Sequence, residues 1–482
     1  MNKAFRFLGV AFLLASLRAS AEPKWTVHEW GTFTSLQNES GEAIGGINTD
    51  DEPVPPFVHL LDGDVLLNPT EVPQSFFKGA PSCHPDVTMR LETPVIYFHP
   101  PAAQTDIQTV SVNVKFHGGW LTEFFPDADA YAPGLKDRTN QFPHLLASTE
   151  SRLEWNHLKI GGHWPVTNTT EHVWTSPRAV QSALVQTTNG ESEKFLFYRG
   201  VAHINAPLKI SRDANSGELV FRSQLEDLPA DKPLDLHALW LVDIHPDGKI
   251  AFRTLPPVSL AHDAKTYVTH TPAAFAPGVF SSRNLEKLKA SLLAALVAEG
   301  LYTDEAQALL NTWELSYFKS TGLRVFFLVP RAWTDFYLPL DISVPADINR
   351  VMVGRIELVT PEQRKGLQKI ARFTVPQIQQ AAGQLATNYF AKLILAAGNQ
   401  ASDREMQRVN QEMTQVNSGK KPLASFVSVP KRYQTYLDLG RFRNALVLDE
   451  AKHQPTDGLT NFIATYRLRA YQPSVISSRP HG

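Results

Sequence analysis

The segment around residue 28 places three chemically capable side chains in consecutive positions. His28, Glu29 and Trp30 lie within a β-strand pattern. Because side chains alternate across a strand, we expect His28 and Trp30 on one face and Glu29 on the other. An inward Glu29 needs a cation, and an inward His28 needs a hydrogen-bond partner or a metal. His28 and Glu29 are therefore candidate acid/base residues and Trp30 a candidate binding residue, with a structural ion pair or buried hydrogen bond as the alternative.

Two other strand patterns carry arginines that could meet such a group. Arg199 interrupts the apolar face of residues 195–203, and Arg355 with Glu357 interrupts that of residues 351–359. Charges on an otherwise apolar strand face are paired or functional. Arg199, Arg355 and Glu357 are thus candidates for stabilising charge during catalysis, and structural pairing stays open for each.

A third segment brings aromatic and ionic groups together. Arg331 and Asp335 flank Trp333 within five residues. Aromatic and ionic groups converge in this segment, as they do around the other two. Arg331, Trp333 and Asp335 are therefore candidate binding residues, with structural pairing again as the alternative.

Histidine is unevenly distributed along the chain. Fourteen of the 16 histidines lie between residues 28 and 270, and none lies between residues 271 and 452. Any imidazole-based site is therefore expected in the first half. The sequence has neither an H-E-x-x-H motif nor two histidines spaced two apart on a strand, the usual signatures of a zinc site. The metal ligands stay unknown at this stage, and a divalent cation is a candidate cofactor.

Charge, cysteine content and motifs exclude several classes of protein. With 46 basic and 48 acidic residues, the chain has a formal net charge of −2, which disfavours nucleic-acid binding. The sequence shows no serine-hydrolase, P-loop or dinucleotide motif in a credible context. Cys83 is the single cysteine and cannot form an intramolecular disulfide, so we expect it to pack as a small apolar residue.

The first 21 residues predict an export signal. Lys3 and Arg6 precede an apolar run over residues 7–17, and Ala19 and Ala21 form a small-x-small cleavage site. The run is shorter than the ~20 residues that a spanning helix needs. We therefore expect a periplasmic or secreted protein with no transmembrane segment after signal removal.

The pattern along the chain predicts an α+β fold with a strand-rich, β-sandwich-like N-terminal domain and a mixed, mainly helical C-terminal part. Residues 22–272 show short alternating apolar runs broken by Pro, Gly, Asn and Asp. Residues 273–322 predict a helical hairpin, residues 323–360 short strands, and residues 361–482 helices that start with a capping box at Thr360 to Gln363. The strands of the third region, including 336–342, form either a small sheet or part of the first one.

Several segments resemble a family of exported bacterial proteins of unknown function that carries a VHEWGTFTS-type motif near the mature N-terminus. The resemblance covers most of the mature chain and implies no activity, so no catalytic residue follows from it. The matching segments are Trp25 to Ser35, Glu92 to Phe98, Phe197 to Gly200, Gly322 to Phe327 and Val351 to Glu357.

Three functional hypotheses follow, and whether the chain is an enzyme stays open among them. The first is an enzyme that acts on a glycan or similar extracytoplasmic polymer by acid/base chemistry, favoured slightly because seven of nine tryptophans lie before residue 241 and indoles stack on sugar rings. The second is a non-catalytic extracytoplasmic binding or assembly module. The third is a metal-dependent hydrolase that uses histidines of the β domain.

Overall fold

The computed structural model describes most of the chain from residue 24 onward. The described residues are 24–49, 54–61, 76–77, 79–101, 106–132, 142–225, 228–229, 234–262, 267–385, 411, 414–415 and 429–473. The predicted export signal, residues 1–21, lies outside them. Strands and helices are numbered in chain order below.

A mixed nine-stranded sheet, called the main sheet, forms the centre of the molecule. Strands β1 and β22 run parallel and form the middle of the sheet, and the other neighbours are antiparallel. Strand β1 is buried on both faces, as expected for a strand covered on both sides. The spatial order is β17 (Ile250–Leu255), β16 (Leu239–Ile244), β20 (Gly322–Val329), β22 (Ala346–Leu358), β1 (Trp25–Gln37), β5 (Met89–His99), β12 (Leu196–Ala202), β7 (Gly119–Phe125) and β2 (His59–Leu60).

A second sheet packs on one face of the main sheet. Its strand β6 alternates buried and partly exposed residues, because one side faces the main sheet and the other faces solvent. Val27 and Phe33 of β1 pack there with Val112 and Phe116 of β6. The order is β11 (Ser192–Glu193), β10 (Leu184–Gln186), β9 (Glu150–Gly162), β6 (Gln108–His117) and β21 (Leu340–Ile342), with β8 (Asp129–Tyr131) paired to β9.

Shorter strands complete the β structure. Strand β14 lies between β13 and β19 in a three-stranded sheet, and two further pairs form two-stranded sheets. These strands are β13 (Leu208–Arg212), β14 (Glu218–Ser223), β19 (Tyr267–Pro272), the pair β15 (Leu234–Leu236) and β18 (Val258–Leu260), and the pair β3 (Phe76–Phe77) and β4 (Ala80–Pro81).

Helices cover the other face of the main sheet. Leu288, Leu292 and Leu309 of the helical hairpin pack with Trp30 and Tyr97 of the sheet, while Leu446 and Phe462 belong to a second apolar cluster around the C-terminal helices. The helices are α1 (His172–Arg178), α2 (Asn284–Ala298), α3 (Thr303–Thr312), α4 (Glu314–Phe318), α5 (Arg331–Tyr337), α6 (Pro361–Ala371), α7 (Lys431–Leu437), α8 (Arg443–His453) and α9 (Asp457–Tyr466), with a 3₁₀ turn at Pro277–Val279; residues 375–385 are also helical.

The predicted α+β class, with a sandwich-like strand-rich part followed by a mainly helical C-terminal part, is confirmed. The predicted capping box is present, since Thr360 Oγ1 accepts from the Gln363 amide at 3.2 Å. Strands β20 and β22 join the main sheet next to β1. Residues 336–337, which the strand pattern assigned to a strand, end helix α5, which Pro330 caps and whose Trp333 is buried.

Among the residues that the structure describes, no helix combines the length and apolar character that a membrane crossing requires.

Candidate metal site

Two histidines meet on the helix-covered face of the main sheet. His28 lies on β1, and His99 is the last residue of the antiparallel neighbour β5. In the register, His28 pairs with Tyr97 and His99 pairs with Thr26, so the two histidines are diagonal neighbours on one face. Their rings stand 5.2 Å apart in an edge-on arrangement. The strand register alone therefore places the two imidazoles next to each other.

Glu305 closes this pair from the helical hairpin. Its Oε2 accepts from His28 Nδ1 at 2.7 Å, and its Oε1 accepts from His99 Nε2 at 2.9 Å. Glu305 is the third residue of α3, and its Oε2 also accepts from the Tyr302 amide at 2.7 Å. This reach-back to the N-cap amide is the usual use of a glutamate at that position and holds the carboxylate over the sheet. Tyr302 is the N-cap residue, one position before Thr303.

The site is shielded from water on all but one side. Glu305 is fully buried, and His28 and His99 are 4% and 9% exposed. The ring of Tyr302 lies 4.6 Å from that of His28 and 4.8 Å from that of His99, and it is itself 46% exposed. Tyr302 is therefore a half-exposed side chain that packs against both imidazoles.

The two imidazoles stabilise a negative charge on Glu305. Burial raises the pKa of Glu305, but hydrogen bonds from His28 and His99 outweigh burial and hold the pKa below its ordinary value. Beneath the site, burial raises the pKa of Tyr97 well above its usual range, and the negative charges of Glu305 and Asp304 raise it further. The ionised form of Glu305 is therefore the one that its two imidazole partners stabilise.

The three side chains bring together donor atoms that could hold a metal ion. One ligand atom each from His28, His99 and Glu305 can be chosen so that all lie within 4.8 Å of one another, the single such group among the described residues. Imidazole nitrogens and a carboxylate oxygen are ligands of Zn²⁺, and a His₂Glu set is a known three-ligand arrangement in catalytic zinc sites. The set leaves a fourth coordination position for water.

Glu29 lies on the opposite face of β1 from His28. It hydrogen-bonds to the hydroxyl of Tyr198 and to Arg350, and Arg350 Nη1 also contacts Asp335 Oδ1 at 2.9 Å. The Glu29 charge raises the pKa of Arg350 despite its burial. Glu29 is therefore paired inside the sandwich and shares no pocket with His28.

Arg199, Arg355 and Glu357 lie farther along the same face as His28. Arg355 Nε donates to Glu357 Oε1 at 2.6 Å, and Arg199 Nη1 lies 3.5 Å from Glu123 Oε2. Arg355 pairs with Thr34 in the β1–β22 register, and Thr34 lies six positions after His28 on β1. Six positions correspond to about 20 Å of strand. The Arg355–Glu357 pair and the Arg199–Glu123 pair are both buried, and neither contacts His28 in the part of the chain that the structure describes.

The remaining candidate residues are divided between core and surface. Trp30 is buried in the helix-side core near Tyr97, and Trp333 is buried in the sandwich core against Phe33, with ring centroids 4.8 Å apart. Arg331 is exposed and donates to Asp335 Oδ2 at 3.1 Å. The structure brings together no shared binding surface for Trp30, Arg331 and Trp333.

His99 and Glu305 were not singled out from the sequence. His99 ends an apolar run of the predicted strand-rich region, so the sequence could place it on a strand. The sequence could not show that this strand pairs with β1. Glu305 belongs to the predicted helical hairpin, but the residue three positions earlier is Tyr302 and not Ser or Thr, so the sequence lacks the usual capping-box signature. Only the packing of α3 against the end of the sheet shows that this residue also meets two histidines.

The chain matches no protein-family model, and no curated protein matches it. Among solved structures it is similar to one described as the Fcho1 Mu homology domain from Danio rerio with bound Eps15 peptide, at a TM-score of 0.27 and 9% sequence identity. That match covers 70% of this chain and 97% of the other. A similarity of this size carries no information on function.

Proposed function

We propose that this chain is an exported metal-dependent hydrolase whose ion is held by His28, His99 and Glu305. The observation that supports it is the convergence of two imidazoles and one ionised carboxylate at ligand spacing, with no fourth protein ligand among the described residues. A bound divalent ion at such a set polarises a carbonyl or phosphoryl oxygen and lowers the pKa of its water to about 7.

The chain's own residues prepare the site in three ways. The β1–β5 register holds both imidazoles on one face, and the Tyr302 amide holds the carboxylate in place. Burial removes competing water, which strengthens the electrostatic contacts inside. Tyr302, at the boundary with solvent, is the side chain that a substrate meets first.

The polymer-directed acid/base hypothesis has less geometric support. It pairs His28 or Glu29 with Arg199 or Arg355, but Glu29 and His28 face opposite sides of the sheet. Glu29 also has no exposed surface through which a substrate could reach it. A glycan or similar extracytoplasmic polymer stays a candidate substrate of the metal site, with periplasmic or secreted location following from the predicted signal.

Metal analysis coupled to thermal unfolding tests this proposal. Purified protein is expected to bind one Zn²⁺ or similar ion, and a ligand at 100 times its dissociation constant raises the free energy of unfolding by about 2.7 kcal/mol. His99→Ala and Glu305→Gln should lose the ion and the chelator-sensitive stabilisation. His270→Ala is the matched control, because His270 Nδ1 also contacts a carboxylate, Glu218, at 2.8 Å but on the surface.

The same preparations separate a hydrolase from a non-catalytic binding or assembly module. Metal-dependent cleavage of a p-nitrophenyl ester or phosphodiester that disappears in His99→Ala supports the hydrolase. Binding of the ion with no cleavage of any ester, phosphoester or glycoside would assign the ion a structural role and favour the module. Absence of any bound metal would overturn the proposal.

A further inference from the structure

Two buried arginines share a single carboxylate oxygen on the main sheet. Arg324 Nε lies 3.2 Å from Glu357 Oε1, and Arg355 Nε donates to the same oxygen at 2.6 Å. Arg324 and Arg355 are 0% and 1% exposed, and Glu357 is 7% exposed. These three residues are called the trio below. With two cations and one anion, the trio carries one net positive charge in the protein interior, where an unpaired charge is costly.

One guanidinium nitrogen of the trio has no partner. Arg355 Nη1 is buried and makes no hydrogen bond with the described residues, although its neighbour Nη2 donates to Ser320 Oγ at 3.3 Å. The guanidinium also lies 4.6 Å from the centre of the Tyr317 ring, which compensates only part of the charge. A buried donor of this kind is costly unless something accepts from it.

The trio reaches solvent at the turn before β20. Ser320 and Gly322 are both partly exposed there, and Ser320 Oγ accepts from Arg324 Nη1 at 2.9 Å. A Cβ on Gly322 would stand 3.3 Å from Glu357 Oε2 and 3.4 Å from Arg324 Nη2, so the glycine keeps this approach open. Ser320, whose hydroxyl contacts both guanidinium groups, is therefore a partly exposed residue at which the trio meets the surface.

The electrostatics of Arg324 agree with this geometry. Burial lowers its pKa to about 9; the Glu357 charge opposes this shift, while the positive charges of Arg355 and Arg441 reinforce it. Positive charges thus repel one another around this carboxylate. An added anion would relieve that repulsion.

We infer that Arg324, Arg355 and the hydroxyl of Ser320 bind a tetrahedral oxyanion, either a free phosphate or sulfate ion or a phosphate ester. Arg355 Nη1 is the donor available for it among the described residues, whereas Arg324 already donates to the carbonyls of Tyr317 and Ser320 and contributes mainly its positive charge. A guanidinium suits an oxyanion because its planar N–H donors match the oxygen geometry. The site is independent of the proposed metal site, since about 20 Å of strand separates them.

Titration calorimetry of the chelator-treated full chain tests the inference, with inorganic phosphate, sulfate and phenyl phosphate as separate ligands. Wild-type protein should bind at least one of them saturably; phenyl phosphate alone would identify an ester as the ligand. Arg355→Lys should weaken binding by about tenfold, because lysine lacks the planar fork. Arg331→Lys, at an exposed arginine paired with Asp335, is the matched control and should bind as wild type.

A second variant keeps the test decisive if Arg355→Lys fails to fold. Glu357→Gln removes the carboxylate that competes for both arginines, so it should tighten phosphate binding several-fold. No saturable binding by wild type, or equal affinity in wild type and a folded Arg355→Lys, would overturn the inference. Unchanged or weaker binding in Glu357→Gln would overturn it as well.

Discussion

His28 and Glu29 are consecutive residues whose side chains lie on opposite faces of the main sheet. His28 Nδ1 contacts Glu305 at 2.7 Å beneath the helical hairpin, whereas Glu29 hydrogen-bonds to Tyr198 and Arg350 inside the sandwich. Strand alternation makes this separation unavoidable. The two side chains therefore serve different purposes, one at the candidate metal site and one in a buried ion pair.

Substitutions at these two positions should differ in their effect on metal binding. Glu29→Gln removes the negative charge that pairs with the buried Arg350. It should therefore lower the free energy of unfolding by about 3 kcal/mol and leave metal affinity unchanged. His28→Ala should abolish stoichiometric metal binding. Chemical denaturation and metal analysis of both variants check this. Loss of metal in a folded Glu29→Gln protein would contradict the separation.

Gly31 should not tolerate a side chain. A Cβ there would lie 2.9 Å from Pro94 Cα and 3.1 Å from Met352 Sδ, where β5 bulges against β1. Gly31→Ala should therefore destabilise the protein by about 1 to 3 kcal/mol through overpacking. Gly278→Ala is the control, because no atom of the described residues lies within 4 Å of its added Cβ apart from its own chain neighbours. Equal midpoints of denaturation for the two variants would contradict the prediction.

Cys83 should be a poor nucleophile in the folded protein. The side chain is buried, and burial raises the pKa of its thiol despite hydrogen bonds from Ser82 and Asn444. Alkylation by iodoacetamide at about pH 8 should be at least about 100-fold slower than in guanidinium-unfolded protein. Mass spectrometry over time measures this. Rapid stoichiometric alkylation of folded protein would show that the thiol is accessible and reactive, contrary to this prediction.

The contact between Glu39 and Arg364 should make stability depend on acid pH. Arg364 Nη2 donates to Glu39 Oε2 at 2.7 Å; burial raises the pKa of Glu39, but the arginine outweighs burial and lowers it overall. A lowered folded pKa contributes stability above the unfolded value of about 4.5 and loses it as pH falls through the folded value. Melting temperature should therefore fall from about pH 5 to about pH 3, and less steeply in Glu39→Gln. Identical pH profiles would show that this pair contributes nothing.

Much of the fold could be predicted because it rests on local pattern. The strands of β1, β6 and β9, the helical hairpin and the capping box at Thr360 follow from apolar periodicity and cap chemistry. Helix α5 was missed because its short aromatic stretch also has strand character, and burial of Trp333 decides the outcome. The export signal stays a prediction.

The candidate site could be predicted only in part. The sequence by itself determined that His28 and Glu29 must face opposite ways, that histidines concentrate in the first half, and that no local zinc motif exists, because these follow from strand geometry and composition. The tertiary structure alone decided that residues 28, 99 and 305 meet, because strand register and the docking of α3 bring together side chains more than 200 positions apart. Such contacts depend on packing between elements, and no local pattern encodes that packing.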